Sequence, residues 1–236
     1  MSSSNLKTQT AQKRPPRPAP SAPGKRPALA PQPLVLLTGF DPFGGSEVNP
    51  SWLAVQALHG RKIAGHRVVC AQLPTRFAMA PGELARLVRL HRPVLVICVG
   101  QAGGRSALSL ERIAINLSDA SLPDNAGVQA RDELIVPEGP TAYFSTLPVK
   151  NMLTALQREG LAAEISLSAG SFVCNHVFYG LMHMLATQRG FKRTQGGFIH
   201  VPYLPQQGLP NMLLDDMIRG LRIAIRCALN SPGTVK

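Results

Sequence analysis

From residue 34 onward the apolar positions of the chain fall into two alternating rhythms. HRVVCAQL (66–73) is strand-like, and LVLLTGF (34–40) and PVLVICVG (93–100) are short runs, nearly continuous in aliphatic and β-branched residues. Such runs predict strands buried on both faces, as in the interior of a parallel sheet. ERIAINLS (111–118), AEISLS (163–168) and GFIHVPY (197–203) are further strands on this reading. Helical spacing is predicted over 50–58, 81–91, 148–159, 174–188 and 210–229. Asn49 suits the cap of the first helix with Pro50 in its first turn, and Gly160 suits the end of the third. Strands alternating with helices of about 10–15 residues predict an α/β sandwich around a largely parallel sheet. No internal repeat is visible.

Residues 1–33 follow neither rhythm. They hold eight of the 21 prolines, six Lys/Arg, no acid and no aromatic residue. A segment so poor in apolar groups does not offset its ordering entropy, and proline opposes both helix and ladder. The expectation is a disordered, basic, proline-rich tail over 1–33 ahead of one catalytic-sized domain over 34–236. No apolar stretch of signal-peptide length follows its basic residues. Locating the tail changes the meaning of the net charge of +12: the remaining residues carry 19 basic and 13 acidic groups, a net of +6. Half of the net charge therefore sits in the tail, where a solvated segment is the main reading and transient nucleic-acid contact the other. No apolar run approaches the roughly 18 residues of a membrane span, so no membrane partner is expected.

The four cysteines, Cys70, Cys98, Cys174 and Cys227, show no C-x-x-C and no zinc-type spacing. No structural metal is expected, and reduced thiols in a cytoplasmic setting fit better than a disulfide framework. Cys70 and Cys98 lie inside apolar runs and Cys227 on the last helix, all three as packing residues. Cys174 is different, because SAGSFVCNHVFYGLMH (168–183) passes from strand to helix and places it near the helix start. The positive end of the helix dipole is expected to push a thiol there toward thiolate. A nucleophile also needs a base. His200 lies near the end of its strand, at the same sheet rim; His176 is nearer in sequence but turned to another helical face, and both stay open. Glu111, whose parity matches Ile113, Ile115 and Leu117, is a candidate orienting acid, with a solvated strand end as the other reading and Asp119 and Asp124 as competitors that look like turn residues. Loop aromatics in GFDPFGG (39–45) suggest a pocket wall. GQAGGRS (100–106) is neither a dinucleotide fingerprint nor a phosphate loop, so no nucleotide cofactor is indicated.

GFDPFGG with NPSW (49–52), GQAGGRS through ERIAIN and LPDN, PTAYFSTLP (140–148), the stretch around Cys174 and GFIHVPYLPQQ occur together and in order. This set resembles pyroglutamyl peptidase I (pyrrolidone carboxylate peptidase), a family of cysteine peptidases, over roughly 34–228. The resemblance implies Cys174 as nucleophile, His200 as base and Glu111 as orienting acid. It implies an apolar pocket of Phe40, Phe43, Leu122, Phe172 and Val173, with Gln101 and Asn49 against a lactam ring. It further implies a single α/β/α domain with a twisted mixed sheet, a cytoplasmic homodimer or homotetramer, no metal or cofactor, and peptides with N-terminal pyroglutamate as substrates. Three positions depart from the usual bacterial pattern: Ser121 replaces an arginine, Leu167 an asparagine and Leu53 a glutamate. Another cysteine amidohydrolase or acyl transferase, or a non-enzymatic basic binding protein, are the alternative classes.

Overall fold

A computed structural model describes Met1 and residues 33–231. The tail expected over 1–33 therefore falls outside the described residues, apart from Met1 and Pro33, as does the C-terminal end from 232. In chain order the domain runs β1 (Leu34–Phe40), α1 (Pro50–Gln56), β2 (Lys62–Ile63), β3 (His66–Leu73), α2 (Ala80–His91) and β4 (Leu95–Gln101). It continues through β5 (Leu108–Glu111), β6 (Ile113–Ile115), β7 (Ala142–Phe144), α3 (Val149–Arg158), β8 (Ala163–Ser166), α4 (Val173–Thr187), β9 (Gln195–Val201) and α5 (Leu214–Asn230).

Seven strands form one sheet in the order β2-β3-β1-β4-β9-β5-β8. β3, β1, β4 and β9 are mutually parallel, whereas β9–β5 and β2–β3 pair antiparallel, which makes the sheet mixed. The period of two along each strand divides its side chains between two cores. On β4, Leu95, Ile97 and Val99 join the cluster under α1, α3 and α5, while Val96 and Cys98 join the one under α2 and α4. On α5, Met217, Leu221, Ala224, Ile225 and Ala228 recur at helical spacing and are buried, each large side chain contributing about 1.5–3 kcal/mol. Helices on both faces of the sheet complete an α/β/α sandwich.

Several boundaries differ from the sequence reading, each for a local reason. The single strand expected over 111–118 is two strands in two sheets: the path breaks at Arg112, and β6 pairs instead with β7. β8 stops at Ser166, where the Ser166 hydroxyl accepts the Ser168 N–H and bends the chain. β9 runs Gln195–Val201 rather than to 203, because Pro202 has no N–H for the ladder. α5 starts at Leu214, four residues after the predicted start, since Asn211 bridges Tyr203 and Met212 donates to the Tyr203 carbonyl. The parallel run of β1, β4 and β9 brings Phe40, Gln101 and Val201 to one sheet rim.

Candidate active site

Strand register gathers two of the three expected catalytic residues, and α4 brings the third. His200 on β9 pairs with Gly100 on β4, and Glu111 on β5 pairs with Phe198, two residues before His200 and on the same face. Glu111 Oε1 consequently stands 2.7 Å from His200 Nδ1. Cys174 is the second residue of α4, which crosses that face. A Cβ placed on Gly100 would lie 2.9 Å from Cys174 Sγ and 2.8 Å from the Phe198 ring, so only glycine lets the sulfur descend onto the sheet here. Sulfur and imidazole thus lie above one registered residue pair. The N-cap of α4, Phe172, supplies no side-chain cap, leaving the backbone donors of the first turn beside the sulfur.

Glu111 is wholly buried and His200 is 3% exposed. Burial opposes the charged form of Glu111, but the hydrogen bond and charge of His200, with Ser166 and Arg105, outweigh it and hold the carboxyl below its ordinary range. An ionised carboxylate only accepts, so Nδ1 of His200 carries the proton and Nε2 is the free, basic nitrogen. Burial pushes His200 down, with Glu111 opposing and the Arg105 charge adding to the depression. The thiol departs from expectation. Although Cys174 keeps partial solvent exposure, the dense packing around its sulfur pushes it up to about 12, and the charge of Glu111 adds to this. The helix start does not offset that packing, so the resting pair is a neutral thiol beside a neutral imidazole. Cys70 and Cys98 are also raised to about 12 by burial, which leaves the packing of its sulfur against Gly100, the register partner of His200, as what distinguishes Cys174.

Beside the triad opens a cavity of about 650 Å³, lined among others by Phe43, Gln101, Leu122, Pro123 and Tyr203. Its aromatic wall is layered: Phe43 packs on Phe172 at 5.9 Å between ring centroids, and Phe77 meets Phe172 edge-on at 5.3 Å. The wall is held by loop-to-loop bonds, the Asp41 carboxylate accepting from Thr75 N–H at 2.6 Å and from Asn125 Nδ2 at 3.2 Å. Among the described residues, no group of three or more His, Cys, Asp or Glu is placed to hold a metal ion.

A sequence model of the pyroglutamyl peptidase family matches residues 34–231. The chain belongs to the pyroglutamyl peptidase family. A relative from Ralstonia nicotianae, pyrrolidone-carboxylate peptidase 1, is 53% identical over 202 residues, 84% of this chain and 93% of the relative. A pyrrolidone-carboxylate peptidase of Cupriavidus taiwanensis is 49% identical over 209 residues, 86% of this chain and 96% of its own length. Among solved structures, pyroglutamyl peptidase I from Bacillus amyloliquefaciens superposes with a TM-score of 0.83 at 44% identity, covering 87% of this chain and 99% of that one.

Of the ring-binding residues that the pyroglutamyl peptidase resemblance implies, Phe43, Leu122 and Gln101 line the cavity and Phe172 backs Phe43. Phe40 and Val173 belong to the buried core, at 2% and 0% exposure. Asn49 is the α1 cap: its Oδ1 accepts from Ser51 N–H and Oγ, and its Nδ2 donates to the Asp41 carbonyl. At 3% exposure that amide is buried within these contacts. Asp124 organises a turn, accepting from Phe77, Ala126 and Val128 N–H, and Asp119 is exposed, as turn residues would be. His176 bonds Ser118 Oγ at 2.8 Å and does not join the triad. The sequence reading missed Arg105, whose Nη1 lies 2.7 Å from Glu111 Oε1 and whose Nη2 donates to the Ser168 carbonyl at 2.9 Å. The signal available for it was the buried carboxylate's need for a cation. The sequence reading also missed Phe77, which packs on Phe172, and Tyr203, which lines the cavity.

Proposed function

We propose that this protein hydrolyses the bond between an N-terminal pyroglutamyl residue and the rest of a peptide, through a thioester on Cys174. The observation that carries this reading is the single Glu111 oxygen shared by His200 and Arg105, on the registered pair over which the Cys174 sulfur lies. His200 Nε2 takes the thiol proton as Sγ attacks the scissile carbonyl carbon. The first-turn N–H groups of α4 face the oxygen that gains charge, each such donor being worth about 3 kcal/mol. The C–N bond breaks as imidazolium returns the proton to the departing amine, leaving the pyroglutamyl thioester. Water then loses a proton to His200 and attacks the thioester; pyroglutamate leaves and the thiol regains its proton. Glu111 fixes the tautomer throughout and stabilises the transient imidazolium.

The wall explains selectivity. Pyroglutamate closes its own amine into a neutral lactam, which Phe43 and the Phe77–Phe172 pair accept as an apolar ring with polar edges. A free N-terminal ammonium would lose its hydration against the same wall, at several kcal/mol. Four free thiols among the described residues suit a reducing, cytoplasmic setting. The assembly we propose is the homodimer or homotetramer usual for the family. The test compares a pyroglutamyl-amide with the matching prolyl- and glutaminyl-amides. Hydrolysis of the first alone, abolished in Cys174→Ala and retained in Cys98→Ala, is expected; equal turnover of all three would overturn the reading.

A further inference from the structure

Gln207 lies in the short turn Pro205–Gln207 that follows β9, and its side-chain amide is fixed from both ends by backbone. Oε1 accepts the Leu204 N–H at 2.9 Å, and Nε2 donates to the Val48 carbonyl at 3.3 Å. A donor and an acceptor so placed admit one orientation of the amide, because reversing it sets oxygen against carbonyl and N–H against N–H. The same Nε2 donates to Gln101 Oε1 at 3.2 Å. Orientation is thereby transmitted: with its oxygen held by Gln207, Gln101 has its amide nitrogen left to offer the cavity it lines.

The position of Gln101 gives this polarity a chemical consequence. It is the last residue of β4, 9% exposed, and directly follows Gly100, against which the Cys174 sulfur packs. A donor at this place meets whatever acceptor the substrate carries next to its scissile bond. We propose that Gln207 is a positioning residue that locks Gln101 as a donor, so that the site selects a ring bearing a carbonyl oxygen. A pyroglutamyl ring has that oxygen. A prolyl ring has the same shape without it, and would leave the Gln101 N–H unpaired on binding. Unlocked, Gln101 could turn its oxygen inward, repelling the lactam carbonyl and accepting from a ring ammonium. This inference rests on the pyroglutamyl reading above and adds the device that sets the ring preference.

The test uses the full chain with Gln207→Leu, which removes the clamp, and Gln207→Glu, whose carboxylate opposes both Val48 and Gln101 oxygens. For a pyroglutamyl-amide, KM should rise at least about tenfold in each while kcat stays within about twofold, the scale of one lost directional hydrogen bond in a partly enclosed site. The ratio of prolyl- to pyroglutamyl-amide kcat/KM should rise in the same variants, which a merely structural residue would not cause. In a Gln101→Leu background, Gln207→Leu should add no further increase in KM, because the residue it positions is gone. An unchanged KM, additive effects in the double variant, or loss of the melting transition by both Gln207 variants would overturn the proposal. If the wild-type protein leaves the pyroglutamyl-amide intact, the functional reading itself fails; if it turns it over and the Gln207 variants behave as wild type, only the clamp fails.

Discussion

Glu111 keeps its charge without any contact with solvent, so the cation beside it sets how that charge is divided. Arg105 supplies the cation, with a side chain only about a quarter exposed (26%) and anchored by the Ser168 carbonyl. Its charge lowers both Glu111 and His200. Removing it in Arg105→Gln should therefore raise both. With a neutral thiol at rest, the rising limb of kcat/KM reports loss of the His200 proton, below the ordinary 6.5 in the wild type. In Arg105→Gln that limb should move to higher pH; in Arg105→Lys, which keeps the charge and loses the planar fork, it should move less. A pH profile of kcat/KM for the wild type and both variants checks this. A limb that stays in place would make Arg105 a brace for the loop alone.

At the scale of the element, the first turn of α4 decides which histidine serves the thiol. Two positions along a helix are about 200° of rotation, so Cys174 and His176 cannot converge on one substrate atom. His176 instead bonds Ser118 and meets the Phe77 ring edge-on at 5.5 Å, bracing the wall from behind. His200→Ala should lose at least about 10²-fold in kcat, the usual scale of general acid–base catalysis. His176→Ala should lose roughly 1–2 kcal/mol of stability with kcat largely kept. Steady-state kinetics beside urea unfolding separates the two, and a well-folded but inactive His176→Ala would reverse the assignment. This contrast was legible in the sequence because helical rotation is a local property. So were β1 and β4, whose runs are apolar on both faces. The break at Arg112 was not, since β6 continues the alternation of β5 while pairing in another sheet. Nor was the bond of Asn49 beyond its cap, or the meeting of Gln207 with Gln101 across 106 residues. These depend on loops that only the assembled sheet brings together.

For the whole molecule, the same burial that builds the site makes acid its weak side. His200 and His176 are both held below their ordinary 6.5, in each case mainly by burial. A histidine whose folded value is depressed takes its proton more readily when unfolded. Its contribution is complete above 6.5 and is lost as pH falls from there through the folded value. Glu111 and Asp124 are held below 4.5 and 3.8 respectively; burial opposes this, and hydrogen bonds with nearby positive charge prevail. Their contribution is present above those ordinary values and is lost as pH falls through the folded ones. All four groups therefore act in one direction, the histidines first and the carboxylates after. Urea unfolding between pH 7.5 and 4 should give a stability that declines steadily below about 6.5, by at most about 1.4 kcal/mol per pH unit for each proton taken up. Acidification also adds charge to a chain already at +12, so the slope alone does not identify the histidines. His176→Gln does, because it removes one buried titrating ring and leaves the remaining charges in place. Its decline between pH 6.5 and 5 should be shallower than that of the wild type by up to one proton, while a slope equal to the wild type would assign the acid sensitivity to general repulsion.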